Sequence, residues 1–214
     1  MRKNLTEIVF ILDRSGSMAG LEGDTIGGFN AMLRKQREEA GEAIVSTVLF
    51  DNVSEVIHDR LPLDRVPQLT RNEYYVRGCT ALLDAVGSAI RHISNVHRYA
   101  REEDRPERTL FVITTDGMEN ASRRYTYEKV RSLIETQKKE CGWEFLFLGA
   151  NIDAAREAAR FGIHPDMAAD YRADRQGTRV VYETVCETVS DFRASRPMSA
   201  AWKKKIDRDF GSRK

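Results

Sequence analysis

No apolar run in this sequence approaches the ~20 residues of a membrane-spanning helix, so a membrane partner is not expected. Cysteine is scarce. Cys79, Cys141 and Cys186 are far apart and odd in number, which excludes a disulfide framework and suggests reduced thiols in an intracellular protein. No Cys or His pair has the spacing of a zinc site. The segment Met1 to Glu7 leaves no room for a signal peptide ahead of the first apolar run, so the expected location is cytoplasmic. Charge of one sign is also lacking: Lys plus Arg number 34, Asp plus Glu 33, for a net charge of +1. Bulk charge therefore gives no footprint for nucleic acid. The glycines between Gly16 and Gly28 match neither Gly-x-Gly-x-x-Gly nor the phosphate-binding loop ending Gly-Lys-Ser/Thr, so no dinucleotide site is read there.

What is present suits one α/β domain of ordinary size, with 214 residues, 41% hydrophobic and 31% charged. Ile8-Val9-Phe10-Ile11-Leu12 is a short, β-branched apolar run, the signature of a strand buried on both faces. Further strands are expected at Ala43–Phe50, Thr109–Thr115 and Glu144–Gly149, with an edge strand near Ala168–Tyr171. Val53–His58 alternates and can pair antiparallel with the second strand; residues 60–77 carry two prolines and read mostly as loop. Helical spacing appears at Ile26, Phe29 and Leu33, at Leu83 to Ile93, from Thr126 to Lys138, and at Val181 to Phe192. Strands alternate with helices, which predicts a doubly wound, mainly parallel sheet with one antiparallel edge strand and helices on both faces. Residues 1–194 form the expected domain, and 195–214 a basic C-terminal extension or tail. Ile8, Phe10, Leu12, Val48, Leu110, Val112, Phe145 and Phe147 are the expected core.

The first strand ends in Asp13-x-Ser15-x-Ser17. Open α/β sheets place their ligands at this edge, and hard oxygen donors suit Mg²⁺ or a similar cation. The same three residues could equally shape a turn and cap the next helix. Thr80 precedes a helix, where it caps or points at the same site. Thr114-Thr115-Asp116-Gly117 brings a second aspartate to the end of a second buried strand. The histidines, His58, His92, His97 and His164, read as structural.

Asp13-x-Ser15-x-Ser17, Thr80 and Asp116, in this order, resemble the von Willebrand factor type A family and its metal-ion-dependent adhesion site. The resemblance runs from about Leu5 to Arg193. Phe147-Leu148-Gly149-Ala150-Asn151-Ile152-Asp153 with Phe161-Gly162-Ile163 is similar to small stand-alone bacterial and phage members. It implies a Rossmann-like fold and one Mg²⁺ or Mn²⁺ held by Asp13, Ser15, Ser17, Thr80 and Asp116. The three hydroxyls would approach the ion directly or nearly so, and the two carboxylates partly through waters. The family's open coordination position takes an Asp or Glu from a partner protein. The charges agree, since three neutral hydroxyls leave a divalent ion short of anionic ligands. Arg14, Met18, Glu119, Asn120, Asn151 and Asp153 are candidates for the surrounding rim.

The expected function is thus a metal-dependent protein-binding module with no catalytic residue. The alternative is a Mg²⁺-dependent phosphatase-like hydrolase using Asp13, as haloacid-dehalogenase-type enzymes use a strand-end aspartate. Their motif needs a second aspartate two residues on as general acid; here that residue is Ser15, which cannot serve near neutral pH.

Overall fold

The computed structural model describes residues 1–213; Lys214, the last residue of the basic extension, lies outside them. β1 (Arg2–Asp13) is the axis of the fold. It pairs in parallel with β2 (Glu42–Phe50) on one side and β4 (Pro106–Thr115) on the other. β5 (Glu144–Ala150) and β6 (Ala168–Tyr171) extend the sheet in parallel beyond β4. β3 (Ser54–Pro62) runs antiparallel along β2 and closes the other edge, giving the order β3-β2-β1-β4-β5-β6.

The continuous apolar run of β1 follows from its place between two helical layers. Successive side chains point to opposite faces of a strand. Ile8, Phe10 and Leu12 enter one layer with Phe29 and Leu33 of α1 (Glu22–Arg37) and Val181 and Val189 of α5 (Arg175–Arg193). Val9 and Ile11 enter the other, with Val86 and Ile90 of α2 (Leu82–Tyr99), Ile134 of α3 (Tyr127–Cys141) and Ala158 of α4 (Ala154–Arg160). All eight expected core residues are buried. Thr126 caps α3 by accepting the Lys129 amide, and Gly142 ends it at φ 65°.

Several boundaries differ from the sequence reading, most of all at β3. β3 runs on past His58 to Pro62, through a register shift, and a 3₁₀ turn at Leu63–Arg65 follows it. The polar look of residues 60–77 also hides two anchors: Leu69 and Tyr74 are buried, and the Asn30 amide side chain pairs with both the N–H and the C=O of Leu69. In the basic extension, a 3₁₀ turn at Ala200–Lys203 leads into α6 (Lys204–Ser212). Ile206 is buried in the α1/α5 layer, and Lys203 Nζ donates to the carbonyls of Pro165 and Ala168.

Phe10 packs edge-on against Phe29, with ring centroids 5.3 Å apart. Phe10→Ala should cost about 3–5 kcal/mol, the usual range for deleting a buried aromatic. Urea unfolding monitored by far-UV circular dichroism measures it, and a loss below about 1 kcal/mol would contradict this packing.

Candidate metal centre

The parallel strands deliver their C-terminal ends to one edge of the sheet, and the five residues meet there. Asp13 is the last residue of β1, and Asp116 follows the last residue of the adjacent β4. A 3₁₀ turn at Gly16–Met18 carries Ser17 back over the strand end. Asp13, Ser15, Thr80 and Asp116 are buried, while Ser17 is exposed, so the cluster opens to solvent on the Ser17 side.

Thr80 is not the cap of α2. Ala81 occupies that position and makes no side-chain capping bond. The Thr80 hydroxyl instead donates to Ser15 Oγ at 3.1 Å. Ser15 and Ser17 Oγ lie 3.0 Å apart, and Ser17 donates to Asp116 Oδ1 at 2.6 Å. Each hydroxyl has one proton, so the chain is directed: Thr80 to Ser15, Ser15 to Ser17, Ser17 to Asp116. Asp13 Oδ1 accepts the Ser15 amide at 2.7 Å and Oδ2 the Thr115 hydroxyl at 2.6 Å. Gly117 lies directly against the cluster: a Cβ there would stand 3.2 Å from Thr80 Oγ1 and 3.3 Å from Ser17 Oγ.

The rim differs from its sequence outline. Arg14 and Met18 are buried, not peripheral. The ladder with β2 runs one step past Asp13, the Arg14 amide donating to the Phe50 carbonyl, so the Arg14 side chain is enclosed against Asp51. Glu119 accepts the amides of Leu83, Ala121 and Ser122 and so ties its loop to the first turn of α2. Asn120 brackets Thr80, its Oδ1 accepting the Thr80 amide and its own amide donating to the Thr80 carbonyl. Asn151 and Asp153 are exposed, and Asp153 caps α4. Two supporting residues escaped the sequence reading. The Thr115 hydroxyl holds Asp13, and Tyr74 OH donates to the Asp13 carbonyl at 2.5 Å. Thr115 adjoins Asp116 and was open to notice; Tyr74, far off in a polar-looking loop, carried no signal. The histidines bond elsewhere: His97 to Glu7, His92 to Asp59, His58 to Thr47 and His164 to the Asp166 amide.

Comparison with solved structures places the fold. No protein-family model and no curated protein matches the sequence. Among solved structures, a von Willebrand factor type A protein from Catenulispora acidiphila superposes with a TM-score of 0.57 at 14% identity, over 85% of this chain and 41% of that one. The chain has the von Willebrand factor type A fold. The same fold in the von Willebrand domain of the type V pilus tip protein Mfa5 from Porphyromonas gingivalis gives 0.58 at 9% identity, over 86% and 94% of the two chains. Proximal thread matrix protein 1 from the mussel byssus, in a form with a zinc-occupied adhesion-site motif, gives 0.59 at 13% identity, over 86% and 46%. This chain thus spans less than half the length of the mussel and Catenulispora proteins.

Among the described residues, no group of three or more His, Cys, Asp or Glu is arranged to hold a metal. The donors gathered here are two carboxylates and three hydroxyls, a hard-oxygen set of the kind that suits Mg²⁺ or Mn²⁺. Burial pushes the Asp13 carboxyl up to about 6, against the hydrogen bonds from Thr115 and Ser15. Burial also raises the Asp116 carboxyl, against its hydrogen bond from Ser17.

A raised folded-state value means the native protein binds more protons than the unfolded chain between the ordinary 3.8 and about 6. Asp13 therefore costs stability as pH rises through that window, by about 3 kcal/mol once fully ionised. In chelator, the advantage of Asp13→Asn over wild type should grow from near zero at about pH 4 to about 3 kcal/mol at about pH 7.5. Urea unfolding at several pH values reads this, and a pH-independent difference would contradict it.

Proposed function

We propose that this protein binds another protein through the face bearing Asp13, Ser15, Ser17, Thr80 and Asp116. In this reading the five residues hold one Mg²⁺ or Mn²⁺, and an Asp or Glu of the partner completes its coordination. One observation carries the reading. Three hydroxyls and Asp116, from three separate segments, form one chain of contacts, yet Asp116 Oδ2 is buried with no hydrogen-bond partner among the described residues. A buried carboxylate oxygen left unpaired costs about 1–3 kcal/mol or more, and a cation against it removes that cost. The donor set therefore fits the ion.

Bound there, a divalent ion supplies an electrophilic position facing solvent. The protein's own residues do the rest. Asp13 and Asp116 contribute negative charge, the three hydroxyls add oxygen ligands without charge, and Thr115 and Tyr74 fix the end of β1. This leaves anionic demand unmet, which favours a carboxylate ligand from outside. The solved structures of this fold support a protein-binding role, since one is a pilus tip domain and another a matrix protein with a zinc-occupied adhesion-site motif. The hydrolase alternative is less well supported. Both Asp13 carboxylate oxygens are engaged as acceptors, and among the described residues no His, Lys or third carboxylate hydrogen-bonds to the five residues. The three free cysteines, two of them exposed, favour a reducing, cytoplasmic setting.

The test is capture from a lysate of the source organism on immobilised protein. Proteins retained in Mg²⁺ should be released by chelator, and Thr80→Ala and Asp116→Ala should retain none while melting cooperatively. Undiminished capture in chelator would overturn the reading. Turnover of a phosphate ester with Mg²⁺, abolished in Asp13→Asn, would establish the hydrolase instead.

A further inference from the structure

The turn between β2 and β3 holds a carboxylate outside the five-residue set that touches both segments bringing Ser15 and Thr80 together. Asp51 is buried. Its Oδ2 accepts Arg14 Nε at 2.9 Å and Arg77 Nε at 2.8 Å, while Oδ1 accepts the Val53 amide at 3.1 Å. Arg14 lies between Asp13 and Ser15; Arg77 lies three residues before Thr80. The main chains of the two segments are joined as well, Arg77 N–H to the Arg14 carbonyl at 2.9 Å and Gly16 N–H to the Gly78 carbonyl at 3.1 Å.

The same turn grips Thr80 from both sides in sequence. The Asp51 carbonyl accepts the Ala81 amide at 2.8 Å, and Asn52 Oδ1 accepts the Cys79 amide. Gly78, at φ 66°, lets the chain pass this close: a Cβ there would stand 2.3 Å from Asn52 Oδ1. The guanidinium of Arg14, 1% exposed, is further fixed by the Glu73 carbonyl at 3.1 Å and Glu55 Oε2 at 2.8 Å. The Tyr75 ring lies against both guanidiniums, at 5.5 and 5.2 Å.

We propose that Asp51, through Arg14 and Arg77, is the positioning group of the cation site and sets the spacing of Ser15 and Thr80. The inference rests on the metal-site reading above. Hydroxyls are neutral ligands, so their contribution to affinity depends on being held in place before the ion arrives. Mg²⁺ tolerates little departure from octahedral geometry, and residues behind the ligands commonly govern affinity. A buried carboxylate receiving two guanidinium hydrogen bonds is a stiff brace, because such bonds are short and directional.

The experiment is a Mn²⁺ titration of the full chain, read by electron paramagnetic resonance of the free ion, beside a thermal melt in chelator. Asp51→Asn should weaken Mn²⁺ binding about 10–100-fold, the usual effect of removing a group behind the ligands. Arg77→Gln should shift affinity in the same direction, and it replaces a side chain that is 42% exposed, so it keeps the test open if Asp51→Asn does not fold. Arg60→Gln is the control. It breaks an ion pair with buried Glu7 at mid-β1 and should lower Tm without moving the Mn²⁺ dissociation constant. Wild-type Mn²⁺ affinity in both Arg77→Gln and folded Asp51→Asn would overturn the proposal and leave the metal site standing. A wild-type chain that takes up no Mn²⁺ would overturn the metal-site reading, and the proposal with it.

Discussion

Two carboxylates end adjacent buried strands, and burial works against the charge on both. Asp13 and Asp116 sit where the central strands β1 and β4 emerge side by side. Desolvation raises both carboxyls, with Asp13 reaching about 6. A carboxylate in such a place needs donors or a cation. Much of the surrounding structure supplies donors: Thr115 and the Ser15 amide to Asp13, Ser17 to Asp116, and the Ser15 and Thr80 hydroxyls in line behind Ser17. Asp116 Oδ2 is the atom these donors leave unsatisfied.

The fold makes this conflict possible and the loops keep it in register. A parallel sheet with both faces covered puts strand ends, not strand faces, at the surface, so a site must be assembled from loops. Here the loops are tied to one another by polar and charged side chains that bond main-chain amides and arginine side chains. Glu119 and Asp84 hold residues 121–125 against the start of α2, Asn120 holds Thr80, and Asp51 joins the Arg14 and Arg77 segments. The exposed hydroxyl of Ser17 is left at the mouth of an otherwise buried cluster.

The mainly parallel sheet with its antiparallel edge strand was legible because its signals are local, and so was the strand-end position of Asp13. A continuous apolar run reports burial on both faces, and Asp-x-Ser-x-Ser directly after it reports a strand end. Thr80 and Asp116 were legible only in company with that motif. The unread part is long-range and polar. Arg14 looks like a solvated loop residue until its partner Asp51 is known, 37 residues away. Tyr74 reaches the Asp13 carbonyl across 61 residues, from a stretch whose prolines and charges say loop. Glu119 reads as a surface acid because main-chain amides, its actual partners, leave no trace in the pattern of side chains.

The most direct measurement is a crystal structure grown with Mn²⁺, with anomalous scattering used to locate the ion. A single strong peak is predicted in contact with Ser15 Oγ, Ser17 Oγ and Thr80 Oγ1 or within one water of them, on the side of Asp116 Oδ2. Ligand distances should be about 2.0–2.2 Å, in the range of small divalent ions bound by oxygen. No peak at this edge of the sheet at millimolar Mn²⁺, or a peak only at surface carboxylates elsewhere, would contradict the account.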